Sequence, residues 1–117
     1  MTLLDLFKIL QAVGIPVSHY EGELDEYPYI VYQEFSTAYD TASGKAYKER
    51  TRSEVVHYTK MEFDPTFELL KNVLLKNDLN FIVATTFDRE SKVIINRLEV
   101  TTMQLIVTEN STMEVGA

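Results

Sequence analysis

Apolar residues recur at helical spacing at the start of the chain. Leu3, Leu6, Phe7, Leu10 and Val13 fall on one face, which predicts an amphipathic helix over residues 3–13. Thr2 is placed to cap its first turn, and Asp5 three positions later completes a capping box. Gly14 can take the left-handed conformation that ends a helix, and Pro16 cannot continue it. Residues 17–20 then form at most a short strand. After a polar stretch, residues 27–36 are rich in aromatic and β-branched side chains and read as a strand. Pro28 fits its start or an edge, since it lacks an amide hydrogen. Both faces of the first half are apolar, so cover on each side is expected.

Residues 38–49 contain Gly44, small residues and no periodicity, and are read as a twelve-residue loop, longer than a simple hairpin turn requires. Residues 50–60 alternate and form the next strand. Asp64-Pro65 opens a second helix, the Asp as cap and the Pro at the first helical position. Phe67, Leu70, Val73 and Leu74 form its apolar stripe, and it should end near Asn77. Strands over residues 81–87 and 93–107 follow, joined by Asp88-Arg89-Glu90-Ser91-Lys92. The order is α-β-β-β-α-β-β. Grouped strands without strict βαβ alternation imply an α+β fold: a mostly antiparallel sheet of four to five strands with two helices on one face. Residues 1–108 form one domain, and residues 109–117, which lack periodicity, are expected to fray.

Composition narrows the functional classes. At 117 residues, with 45% hydrophobic and 25% charged residues, this is an ordinary globular composition with room for one core. Zero Cys excludes a thiolate nucleophile, a Cys-ligated zinc or iron–sulfur site and a disulfide framework. The net charge of −7 disfavours attraction to a phosphate backbone, so no sequence-specific nucleic-acid partner is expected. The apolar N-terminal run is interrupted by Asp5 and Lys8 and stopped at Gly14-Ile15-Pro16, so neither a membrane anchor nor a secretory signal is expected. Asn110-Ser111-Thr112 fits the glycosylation pattern, but without secretion the match is a coincidence.

Candidate chemistry is sparse. A Ser-His-acid triad or a metal site would need His19 and His57 to converge with partners, and no spacing indicates it. Both are read as surface or half-buried structural residues. Glu21, Glu23, Asp25 and Glu26 crowd four carboxylates into six residues but lack the ligand spacing of a calcium loop, and read as a solvated acidic stretch or a protein-facing patch. Neither a metal, a cofactor nor a catalytic residue is expected. All seven tyrosines fall in the first half; strand packing accounts for most, and an interface is the next reading. Charge is divided unevenly. Residues 1–44 carry a net −6 and residues 45–60 a net +3, so one molecule can present opposite signs on two edges, the arrangement that steers head-to-tail contacts.

Taken together, Ile15-Pro16-Val17 after a short helix, an acidic stretch, Tyr27-Pro28-Tyr29-Ile30-Val31-Tyr32, Gly44-Lys45-Ala46-Tyr47-Lys48, the strand around residues 54–58, Thr59-Lys60, and Asp64-Pro65 opening a helix resemble the small tail-terminator or head-tail joining proteins of long-tailed bacteriophages and prophages. The resemblance spans residues 3–103. Glu62-Phe63, where more lysine is expected, and the polar C-terminal extension depart from it. It implies a non-enzymatic virion subunit, assembled in the host cytoplasm as a ring, typically a hexamer, that caps the tail tube and meets the head connector. Residues 38–49 are then the assembly loop, with Tyr39 and Tyr47 among its contacts and Lys45, Lys48, Arg50 and Arg52 meeting Glu21, Glu23, Asp25 and Glu26 of a neighbour. Another virion role, in head completion or the tail tube, uses the same subunit physics. A cytoplasmic binding domain for a small ligand or protein would instead require a concave apolar pocket. A hydrolase would require a histidine beside a carboxylate in an open cleft.

Overall fold

The computed structural model describes residues 3–20, 26–42 and 45–105. It is α+β, in the order α1 (Leu3–Gln11), β1 (Val17–His19), β2 (Tyr29–Ala42), β3 (Lys45–Thr59), α2 (Pro65–Lys76), β4 (Phe81–Asp88) and β5 (Val93–Leu105). The strands form one sheet in the order β1-β2-β3-β5-β4. Every pairing is antiparallel except β1 with β2. Several sequence expectations fall outside the described residues: the Thr2 cap, most of the acidic stretch at residues 21–25, the end of the last strand at residues 106–107, and the fraying of residues 109–117.

Local chemistry explains the element ends. The last turn of α1 tightens through Ala12, Val13 and Gly14 amides bonding three residues back, and Gly14 adopts φ +88°, so α1 stops two residues earlier than its apolar stripe predicts. Asp64 caps α2, its carboxylate accepting from the Thr66 amide, with Pro65 behind it. At the other end Asp78 takes φ +59° and the Leu79 amide reaches back to the Leu74 carbonyl at 3.0 Å. This bond pattern satisfies the final carbonyls and turns Leu79 into the core.

Both helices cover one face of the sheet, the inner face. Leu6 and Leu10 of α1 and Leu70 and Leu74 of α2 pack against Ile30, Tyr32, Val55, Leu98 and Val100. On the outer face Tyr29, Val31 and Val56 are also buried. There Tyr27 packs on Tyr29, Tyr29 stacks on Tyr58 at 4.8 Å, and the Lys60 ammonium lies over Tyr27. Aromatic rings therefore supply cover on that side.

The largest departure from the sequence expectation lies at residues 38–49. Instead of a loop, β2 and β3 run on as a hairpin, in register to the Ala42–Lys45 pair. Small and polar residues give no alternation there: residues 38, 39 and 41 are exposed and Asp40, Lys48 and Glu49 only partly buried, so the usual strand signal is absent although the backbone is extended. β3 has 15 residues, about 50 Å of strand, and forms the spine of a molecule 53 × 25 × 22 Å across. Beyond Arg52 the hairpin and the end of β5 continue past the helices as a three-stranded arm. Phe35 is the extra residue of a bulge between Glu34 and Ser36, where the arm departs from the core, and the register shifts again after Asp40.

Candidate functional site

Two features stand out from the packed core: a polar network beneath an open cleft at one end of the sheet, and the arm at the other.

The network begins with strand parity. His57, paired with Ile30 and Asn96 across the ladders, points to the inner face near the start of α2. His57 is fully buried, and Thr59, Asp64 and Asn96 are buried with it. The hydrogen bonds run in one consistent direction. Thr85 Oγ1 donates to Asn96 Oδ1 at 2.8 Å. Asn96 Nδ2 donates to His57 Nδ1 at 3.2 Å. His57 Nε2 donates to Thr66 Oγ1 at 2.9 Å, and Thr66 Oγ1 donates to Asp64 Oδ1 at 2.7 Å. Thr59 Oγ1 donates to Asp64 Oδ2 at 2.5 Å. This direction assigns the imidazole as the neutral Nε2–H tautomer, with both nitrogens occupied. Burial pushes the His57 pKa down, partly opposed by Asp64. Burial pushes the Asp64 carboxyl up, but the Thr59 and Thr66 hydroxyls, the Thr66 amide and His57 outweigh it and leave it below the usual carboxylate range. The network pins the β3–α2 corner to β4 and β5.

Above it lies a cleft of about 780 Å³, between residues 59–64, the first turn of α2 and the β4–β5 hairpin. Phe67, Phe87, Ile94 and Phe63 supply apolar walls, and Thr85 and Asn96 the polar floor. Phe63 is 92% exposed and holds φ +58°, a left-handed conformation that a glycine or asparagine would adopt at less cost.

His19 is half-buried, as the sequence reading expects. Its Nε2 lies 3.0 Å from Glu34 Oε1, and its ring stacks on Tyr20 and Tyr32. Tyr20 donates to the same carboxylate oxygen, lowering the Glu34 pKa and raising its own. His57, in contrast, is neither surface nor half-buried, and it does converge with partners. Alternation put it in a strand but could not show which face the helices cover, nor that Asp64 and Thr66 fold back onto it.

The sequence-predicted interface residues distribute as follows. Glu21, Glu23 and Asp25 lie outside the described residues; Glu26 is exposed. Lys45 and Tyr47 lie in β3, with side chains outside those described. Tyr39 is 56% exposed on the arm, and the Glu49 carboxylate beside it pushes its hydroxyl pKa up. Lys48 faces Asp40 across the ladder. Arg50 pairs with Asp40 at 2.9 Å. Arg52 grips Glu99 through Nε at 2.9 Å and lies over the Phe35 ring. The structure thus brings the basic residues together on the arm but gives Arg50 and Arg52 carboxylate partners within the chain. Among the described residues, no helix is long and apolar enough to cross a membrane. No protein-family model and no curated protein matches this chain.

Proposed function

We propose that the chain is a structural subunit of a bacteriophage or prophage virion, a tail terminator or head-tail joining protein that works in a ring at the end of the tail. One observation carries this reading: the arm. A mostly solvated ribbon is marginal alone; on this one Thr102 is buried at the base, while residues 36–39 and 41 are exposed. Here it extends the sheet beyond the packed core, and it keeps Phe35, Tyr39 and Met103 about half exposed. Such a surface gains stability when an assembly covers it. The unequal charge of the two halves agrees with head-to-tail contact. For Arg50 and Arg52 to meet a neighbour's residues 21–26 they must exchange Asp40 and Glu99, and exposed pairs are worth only about 0–1 kcal/mol each, so apolar and backbone contacts must supply most of the interface. In this role the chain acts by shape, and its cluster around His57 is structural.

The test is native mass by light scattering across protein concentration and salt, with negative-stain images of any large species. Rings of uniform size support the reading. A strict monomer that also fails to bind purified tail ends would overturn it. A second reading, a small-ligand domain, is favoured by the cleft, whose apolar walls and Thr85–Asn96 floor match the general form of a ligand site. Thermal stabilisation by apolar fragments would support it.

A further inference from the structure

Among the described residues the sheet leaves two edges open, and they have the properties of a donor and an acceptor. At one edge, β4 reads Phe-Ile-Val-Ala-Thr-Thr-Phe-Asp, and among the described residues only β5 pairs with it. Every residue after Phe81 is exposed, with Ile82 at 71% and Phe87 at 56%. Monomeric proteins guard such an edge with lysine, proline or a bulge. β4 has no lysine or proline, pairs with β5 in unbroken register from Phe81 to Asp88, and carries no charge before Asp88. Its inner face opens on the cleft through Thr85 and Phe87, where Phe63 stands fully outward at a strained backbone position. Strain at an exposed aromatic residue points to a use other than the stability of the free chain.

At the opposite edge β1 pairs with β2 only through Tyr32. Residues 36–42 of β2 therefore have, among the described residues, no strand on their outer side. This segment carries one charge, Asp40, already neutralised by Arg50, so it can approach another edge without burying an unpaired ion. Tyr39 is its largest side chain.

From this pair we propose that residues 36–42 of one copy add as a strand to the β4 edge of a second copy, with Tyr39 seated towards the Phe63–Phe87 cleft. The proposal rests on the ring reading above and says how its subunits join. In strand addition the backbone bonds supply affinity and alternate side chains in a neighbouring groove supply specificity, and both halves of that arrangement are present. The segments match in length, seven residues against eight. Donor and acceptor lie on different edges of the sheet and towards different ends of β3, so the contact is heterologous. It leaves one free donor and one free acceptor after every addition and closes only as a ring.

The absence of cysteine allows a direct test. Ala84 on β4 and Ala38 on the arm are both exposed. Chains carrying Ala84→Cys, Ala38→Cys, or both, with Ser36→Cys as a second arm position, are treated with a short bismaleimide. Only the double variants should give a covalent ladder ending at the ring size, and Ile82→Lys, at a site too exposed to disturb folding, should reduce ring mass at least tenfold in concentration dependence. Dimers from Ala84→Cys alone would show β4 pairing with itself and overturn the proposal. Rings that form without arm-to-β4 cross-links would overturn it while sparing the ring reading. Absence of both rings and cross-links would remove both.

Discussion

Replacing Asp64 with alanine tests the polar network most directly. The carboxylate accepts three hydrogen bonds, from Thr59 Oγ1 at 2.5 Å, Thr66 Oγ1 at 2.7 Å and the Thr66 amide at 2.8 Å. The last is the N-cap of α2, and its loss costs about 1 kcal/mol. The two hydroxyls lose their acceptor inside the fold, at about 1 kcal/mol or more each. The total expected loss is about 2–4 kcal/mol, which lowers Tm by roughly 10 °C in a domain of this size. Asp64→Asn keeps a competent cap but cannot accept from both hydroxyls, so it should lose about half as much. Because the folded pKa of Asp64 is depressed, the stability it contributes is present above about pH 4 and is lost as the pH falls through the lower folded value. The gap between wild type and Asp64→Asn should therefore narrow in acid. Urea denaturation at pH 7 and pH 3 measures both effects. A loss below about 1 kcal/mol for Asp64→Ala, or identical losses for the two variants, would refute the reasoning.

Three further outcomes follow from the same geometry. The His57 pKa lies below its ordinary value, so the unfolded chain binds a proton that the fold rejects; stability should fall as the pH drops below about 6.5, and His57→Gln should lose that part of the slope in Tm measured from pH 7.5 to 5. Arg52→Ala breaks an exposed pair and should cost no more than about 1 kcal/mol, with 0.5 M salt erasing most of the difference in denaturant titrations. Phe63→Asn should hold or raise stability by up to about 1 kcal/mol, since it relieves the left-handed backbone and removes a ring that is almost wholly solvated; a clear drop in Tm would show that the phenyl packs within the free chain.

The helices and the core were legible because their signals are local. Asp64-Pro65 marks a start through cap chemistry, and Leu70 and Leu74 recur with the helical period, so α2 lies where it was expected. The arm was not legible, since residues 36–39 and 41 are all exposed, and a strand segment without a buried face carries no alternation. The network around His57 was hidden for another reason. Its members lie in β3, the β3–α2 corner, the first turn of α2, β4 and β5, so only the sheet order brings Thr85 and Asn96 to the same side as Asp64. The exposed apolar run of β4 was visible as a strand, but its place at the edge of the sheet is a matter of topology and leaves no mark in the residues themselves.

The bulge at Phe35 separates two kinds of sequence constraint. On its core side, Ile30 and Tyr32 are fixed by contact with the helices. Past it, the one extra residue resets which side chains face which way, so that Thr37 and Tyr39 share a face that an unbulged strand would have given to Ser36 and Ala38. Changes beyond the bulge can alter the arm's direction or surface without disturbing the packing beneath the helices. A protein divided in this way can acquire a new neighbour by drift in solvent-facing positions of the arm while its foundation stays constant.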